Sequence, residues 1–188
     1  MNKIILASQS PRRKQLLEWA EVPFEVKVVE TSEAFPPGIP PEEVAVYIAR
    51  NKALAVQAIC DSSAVVLAAD TIVVLDDKII GKPVHREDAV SILMALSGSA
   101  HRVITGVVIR QGDEEISFAD ITEVTFHTLT IEQIEFYVDK YKPYDKAGAY
   151  AIQEWIGVVG IHSINGDFYN VMGLPVSRVV RALQAFGV

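Results

Sequence analysis

A mixed α/β fold follows from three features of this 188-residue chain. Short apolar runs alternate with amphipathic helical patterns through the N-terminal half, as expected where strands and helices share one sheet. Two pairs of strand patterns meet at Asp76-Asp77 and at Gln111-Gly112-Asp113-Glu114, turns too short for a crossover, so antiparallel pairs accompany the parallel ones. One run, Ala64 to Leu75, is apolar on both faces, the pattern of a central strand covered from both sides. The expected architecture is a mixed, twisted β-sheet with helices on its faces.

In chain order, residues 3–7 read as a strand and 11–20 as a helix. Ser10 suits the N-cap, where its hydroxyl takes an orphan amide, and Pro11 suits the first helical position, where no amide is lost. Residues 24–29 read as a strand, a Pro-rich loop runs from Phe35 to Pro41, and a long helix reaches about Ile59. The strand Ala64–Leu75 turns through Asp76-Asp77 into Lys78-Ile79-Ile80, and residues 86–97 form a helix ending at Ser97-Gly98. Residues 101–111 and 115–128 are two long strands. Thr130 to about Lys140 is helical, with Thr130 and Gln133 at capping-box spacing. From about Pro175 the last helix places Val176, Val179, Val180 and Leu183 on one face, to pack on the sheet.

The length suits one domain or a tight pair of lobes, with no repeat and no linker. Half the residues are apolar, so the chain is globular. No apolar stretch approaches the roughly 20 residues of a membrane span, and the N-terminal run is too short for a secretory signal. A single cysteine, Cys60, late in a helical pattern, fits a reducing cytoplasm and reads as a small apolar residue. The net charge of −7 argues against sequence-independent nucleic-acid binding, which needs a basic face. A polyanionic small molecule remains compatible where cations are concentrated.

Arg12, Arg13 and Lys14 are such a concentration, and they stand where cations are locally unfavourable. A helix N-terminus attracts anions, so cations there make electrostatic sense when an anion sits among them. The alternative is a solvated basic first turn. Asp70-Thr71 interrupts the doubly apolar strand, and a carboxylate there persists only if paired, hydrogen-bonded or holding a metal. A structural ion pair and a functional carboxylate both meet that condition. In the long helix, Val44, Ile48 and Val56 form a stripe at spacing four, and Lys52 takes the missing place; it either snorkels to the rim or points into a polar site. Gly81-Lys82-Pro83 follows a hairpin, a setting that can hold a cation. Small residues in Asp145–Gln153 let backbone approach a ligand, and the Gln153 amide offers donors and an acceptor suited to a base edge. Asp167, in the turn Asn165-Gly166-Asp167, suits a cap or a turn. Histidines 85, 101, 127 and 162 lack metal-ligand spacing, and no phosphate loop, dinucleotide fingerprint or nucleophile elbow is present.

Taken together, Ala7–Arg13, Asn51-Lys52-Ala53, Ala69-Asp70-Thr71, Gly81-Lys82-Pro83, Thr105-Gly106-Val107, Asp145–Gln153, Gly166-Asp167 and Asn170–Pro175 resemble, in order and over nearly the whole chain, the Maf family of nucleoside triphosphate pyrophosphatases. The resemblance implies a single domain over residues 1–188, related in fold to inosine triphosphatases, with two lobes around a central cleft. It also implies a cytoplasmic enzyme, often dimeric, so a homodimer is expected; that it binds neither nucleic acid nor membrane is the expectation from charge and hydropathy above. The implied reaction is metal-dependent cleavage of a nucleoside triphosphate between the α and β phosphates, with Mg²⁺ or Mn²⁺. Asp70 matches the family's proton acceptor; Ser8, Arg13, Glu33, Lys52 and Lys82 match its polar cleft residues; Arg12, Thr71 and Gln153 match positions that mark the subgroup acting on dTTP and UTP. Glu154 departs from the pattern, because relatives more often place Gly after the Gln.

In-line attack on a phosphoryl group needs positioning and charge neutralisation more than a protein nucleophile. On this reading Arg13, Lys52 and Lys82 hold the triphosphate and stabilise leaving pyrophosphate. Asp70 and Glu33 are the carboxylates for the metal, and Asp70 equally suits orienting and deprotonating water; the sequence is compatible with Asp70 as base, as ligand or as both. Two other readings fit the same sequence: a pyrophosphatase for non-canonical purine triphosphates, and a nucleotide-responsive regulator of septum formation.

Overall fold

The computed structural model describes residues 4–188. Its elements are β1 (Ile4–Leu6), α1 (Pro11–Trp19), β2 (Phe24–Val26), α2 (Pro41–Gln57), β3 (Val66–Leu75), β4 (Lys78–Ile80) and α3 (Arg86–Leu96). These are followed by β5 (Ala100–Gln111), β6 (Glu114–Phe126), α4 (Ile131–Tyr141), α5 (Trp155–Gly160), β7 (Ile161–Asn165), α6 (Phe168–Met172) and α7 (Val176–Leu183). The strands hydrogen-bond in the order β2-β1-β3-β5-β6-β7, with β4 on β3, making a seven-stranded sheet. β1 is parallel to β2 and β3, whereas β4 and β7 pair antiparallel, so the sheet is mixed as expected. Of the predicted strand 3–7, Lys3 lies outside the described residues.

The chain divides into two compact units. Unit 1 comprises the residues up to Thr71, Thr105–Asp120 and Gly173–Val188; unit 2 comprises Ile72–Ile104 and Ile121–Met172. In unit 1, α2 lays Ala49, Ala53 and Val56 against Ile5 and Ala7 of the first strand segment, Val66 and Ala68 of β3, and Val108 of β5. Small residues on α2 let the helix approach closely. A Cβ on Gly106 would lie 2.2 Å from the Ala45 carbonyl carbon, so only glycine fits β5 at this crossing. That contact fixes the height of α2 above the sheet, and with it the position of Lys52. The predicted stripe is present: Val44, Ile48 and Val56 are buried.

Two stretches of unit 1 differ from expectation. β2 stops at Val26 rather than at residue 29, because its partner β1 ends at Leu6 and offers the Lys27 amide one last acceptor. Cys60 lies beyond the end of α2, half-buried against the unit 1 core instead of inside a helix. In α7, Val179 and Leu183 are buried and Val176 and Val180 only partly so.

Unit 2 contains α3 to α6, β4, β7 and the remaining lengths of β3, β5 and β6. Asp76 and Asp77 both take positive φ, 47° and 60°, the backbone of a tight two-residue hairpin. Thr130 caps α4 through a complete capping box with Gln133. No sequence pattern marks α5, β7 or α6, each of five or six residues. Asp167 caps the start of α6, its carboxylate accepting the Tyr169 amide at 2.7 Å. Unit 2 also buries an aromatic trio: His101 stacks on Phe126, and Tyr150 meets both edge-on. The His101 Nε2 bonds the Tyr150 hydroxyl at 2.6 Å. Burial pushes the His101 imidazole down to about 4, so it is neutral, and pushes the Tyr150 phenol up.

Candidate active site

Ser8, Arg13, Glu33, Lys52, Asp70 and Thr71 all belong to unit 1, and the structure links them in two connected groups. The first is built on the loop between β1 and α1. Ser10 caps α1 by accepting the Arg13 amide at 3.4 Å, with Pro11 in the first turn as the sequence requires. This turns the Arg13 side chain inward, where it is only 8% exposed. Its Nε donates to the Gly173 carbonyl at 2.7 Å, one terminal nitrogen to the Ser8 hydroxyl at 3.2 Å and the other to the Thr71 hydroxyl at 3.0 Å. All three acceptors are neutral. The guanidinium is thus oriented without being neutralised, and three of its five N–H donors are used by these bonds.

Burial lowers the Arg13 guanidinium to about 10; Asp70 and Glu33 oppose that shift, and the neighbouring Arg12 adds to it. Arg13 therefore stays charged at neutral pH, and Arg12, half-buried on the same helical turn, repels it. An anion received here relieves that repulsion, whereas a plain solvated basic turn would leave Arg13 at the surface.

The second group joins α2, β3 and the loop before α2. The Lys52 ammonium donates to Asp70 Oδ1 at 2.7 Å and to Glu33 Oε1 at 3.2 Å. The Lys52 and Asp70 side chains are 20% and 13% exposed, and Glu33 is 53% exposed. Lys52 thus does not snorkel to a solvated rim; it turns to two carboxylates, one nearly buried and one near the surface. The Asp70 carboxylate persists in the apolar strand because this ammonium compensates it.

Two further residues complete the constellation, and neither has a role assigned from the sequence alone. Thr105 on β5 is fully buried, and its hydroxyl lies 2.9 Å from that of Thr71. Gly173 supplies the carbonyl that holds Arg13 and takes a φ of 122°, a conformation that L side chains rarely adopt. Both stand in motifs noted above, Thr105-Gly106-Val107 and Asn170–Pro175, but a backbone carbonyl acting as anchor leaves no mark on residue type.

Lys82 and Gln153 belong to unit 2, where both are exposed. Lys82 sits between Gly81 and Pro83 after β4, and the Gly81 carbonyl accepts the Gly148 amide at 3.2 Å. Gly148, at φ 71°, presses on β3: a Cβ there would lie 2.9 Å from Val73 Cγ2. The small residues of Asp145–Gln153 are thus needed, at Gly148, for close packing within the protein. Lys146 in this stretch is 9% exposed and pairs with Asp145 at 2.9 Å and Glu154 at 3.8 Å. No described helix is long and apolar enough to cross a membrane.

Comparison with known proteins agrees over nearly the full length. A family model described as "Maf-like protein" matches residues 3–186. The dTTP/UTP pyrophosphatase of Parabacteroides distasonis is 48% identical over 185 residues, covering 98% of this chain and 96% of that one. The protein of the same name from Cytophaga hutchinsonii is 50% identical over 181 residues, covering 96% and 83%. Among solved structures, a nucleoside-triphosphatase / dITP/XTP pyrophosphatase from Mycobacterium abscessus shares 15% identity at a TM-score of 0.41, over 66% of this chain and 73% of that one. The family model covers every motif that carries the charged constellation, and the chain belongs to the Maf family.

Proposed function

We propose that this chain hydrolyses nucleoside triphosphates, dTTP and UTP above others, to the monophosphate and pyrophosphate. The observation that carries the reading is Lys52 shared between Asp70 and Glu33, in the same unit as an Arg13 held against neutral acceptors. Such a set supplies what phosphoryl transfer asks of a protein: fixed positive charge for phosphate oxygens and a carboxylate for the attacking water. Family membership and relatives named dTTP/UTP pyrophosphatase at 48% and 50% identity support the substrate class.

In this reading water attacks the α-phosphorus while the bond to the bridging oxygen of the β-phosphate breaks. Asp70 accepts the proton of the attacking water, and pyrophosphate leaves with the electron pair. A triphosphate competes with Glu33 and Asp70 for the Lys52 ammonium, which frees the Asp70 carboxylate as the phosphate charge is neutralised. Arg13, locked at three of its donors, keeps its remaining donors for a phosphate oxygen. Ser8 and Thr71 hold the arginine fork in place, and Lys82 adds a further cation for the leaving group.

The carboxylates of Glu33 and Asp70 converge on one ammonium, and hard oxygen donors of this kind suit Mg²⁺ or Mn²⁺. No group of three or more His, Cys, Asp or Glu is gathered among the described residues, so phosphate oxygens and water would complete the shell, as Mg²⁺ commonly prefers. When bound, the cation supplies charge neutralisation to the phosphates. For the base, an exposed Gln153 amide meets the imide N–H with its oxygen and a carbonyl with its NH₂, the pattern shared by thymine and uracil and broken by cytosine; Arg12 and Thr71 complete the selection. A cytoplasmic homodimer belongs to the same reading, and a single cysteine suits that compartment.

The test is a panel of pyrimidine and purine triphosphates with Mg²⁺ or Mn²⁺, scored by pyrophosphate and monophosphate release. dTTP and UTP are expected to lead, and Gln153→Glu, which keeps size but removes both donors, to narrow their advantage. Preference for a purine triphosphate would move the chain to the purine reading. Nucleotide binding without turnover would make it a regulator.

A further inference from the structure

The turn that carries Gln153 is held by side chains that the chemistry above does not use. The Ala151 carbonyl accepts the Glu154 amide at 3.1 Å, closing a four-residue turn in which Ile152 is buried and Gln153 exposed. Tyr137 on α4, fully buried, reaches both ends of that turn with one hydroxyl. It accepts the Ala151 amide at 3.1 Å and donates to the Glu154 carboxylate. Glu154 stands at the N-cap of α5, yet its side chain makes no capping bond. The carboxylate is turned instead to Tyr137 and to the Lys146 ammonium, 3.8 Å away. Gly157 closes the turn from the helix side, since a Cβ there would fall 1.7 Å from the Ile152 carbonyl oxygen.

We propose that Tyr137, acting through Glu154, is the positioning residue that sets base preference by fixing the turn bearing Gln153. This rests on the reading of Gln153 as the base-contacting side chain. An amide distinguishes uracil from cytosine only when its donor and acceptor are held in one orientation; a site free to rotate by some 10–20° accepts either edge. Gln153 is exposed and contributes little packing of its own, so its aim comes from the backbone beneath it. A phenol–carboxylate bond is charge-assisted and therefore stronger than a neutral one, which suits it to that task. Glu154, the residue that departs from the family pattern, has a use in this chain that glycine cannot fill.

The experiment measures kcat/KM for UTP and CTP, with thermal melts, in Tyr137→Phe, Glu154→Ala, Glu154→Gln and Gln153→Ala, and in Tyr137→Phe combined with Gln153→Ala. Tyr137→Phe and Glu154→Ala are each expected to lower the UTP-to-CTP ratio by about 10-fold, in line with the large rate cost of small misplacements. Glu154→Gln keeps an acceptor for the phenol and should retain most of the ratio. On the Gln153→Ala background, Tyr137→Phe should change the ratio no further. A lowered melting temperature with an unchanged ratio in Tyr137→Phe would overturn the proposal, as would an undiminished effect on the Gln153→Ala background. An unchanged ratio in Gln153→Ala itself overturns the base reading and this inference with it; a changed ratio there, with an unchanged one in Tyr137→Phe, overturns the inference alone. Should Tyr137→Phe fail to fold, Glu154→Ala decides on the same ratio.

Discussion

Replacing Asp70 with asparagine separates catalysis from stability in a way the geometry quantifies. Asn keeps the shape of the side chain and one oxygen for Lys52, 2.7 Å away, but removes the charge and the basicity. Charge-assisted hydrogen bonds contribute roughly twice as much as neutral ones, within a range of about 1.5–3 kcal/mol for bonds to charged groups. Glu33 still holds the ammonium, and Lys52 is 20% exposed, so the loss to the folded state should be about 1 kcal/mol. That lowers Tm by roughly 2–4 °C in a domain of this size. Loss of a general base costs about 10²–10⁴ in rate, or roughly 3–5 kcal/mol of barrier, several times the stability change. The assays are pyrophosphate release at saturating dTTP, calorimetric nucleotide binding, and a thermal melt. We expect kcat to collapse while nucleotide Kd stays close to wild type and Tm falls slightly. Less than tenfold loss of kcat would remove Asp70 from the chemistry. A fall in activity that merely tracks unfolding would instead make the Lys52–Asp70 pair structural.

Two further outcomes follow from burial and charge. Lys82→Ala alters an exposed residue, so Tm should stay within about 2 °C of wild type, while kcat/KM for dTTP falls roughly 10²-fold through loss of a phosphate cation; unchanged kinetics would exclude Lys82 from the site. His101 titrates near 4 when folded against 6.5 when unfolded, so the unfolded chain binds more protons between those values and stability rises with pH across that window. The contribution is fully present above about pH 6.5 and worth roughly 3 kcal/mol. His101→Phe should therefore gain about that much relative to wild type between pH 7 and pH 4, read by denaturant unfolding; parallel stability–pH curves would show that His101 is not buried neutral.

What the sequence reveals depends on how far apart the interacting residues are. The Ser10 cap, the Thr130–Gln133 capping box and the Asp76-Asp77 turn are written within four residues and were legible in full. The central strand was legible because burial on both faces demands an unbroken apolar run. Asp70 and Lys52 stood out as polar breaks in apolar patterns, though their pairing across 18 positions was not visible. Arg13 drew attention as a surface cation at a helix start, yet its partners at Thr71 and Gly173 lie 58 and 160 residues away, and one of them is a carbonyl. α5, β7 and α6 span only five or six residues each, too short for a period to declare itself. Nothing in the sequence singles out Tyr137, because only the fold brings its hydroxyl to Ala151 and Glu154.

The hydrogen bond from Arg13 to Gly173 also orders events in time. During translation the arginine emerges first and the acceptor of its shortest side-chain hydrogen bond follows 160 residues later, a delay of about 10–30 s at ordinary ribosomal speeds. Through that interval the guanidinium and the Ser8 hydroxyl are present, and Thr71 joins them after 58 residues, while the carbonyl that fixes their angle does not yet exist. The Arg13 corner of unit 1 therefore matures near the end of synthesis, and a nascent chain cut before Gly173 would carry every charged residue of the constellation without its geometry.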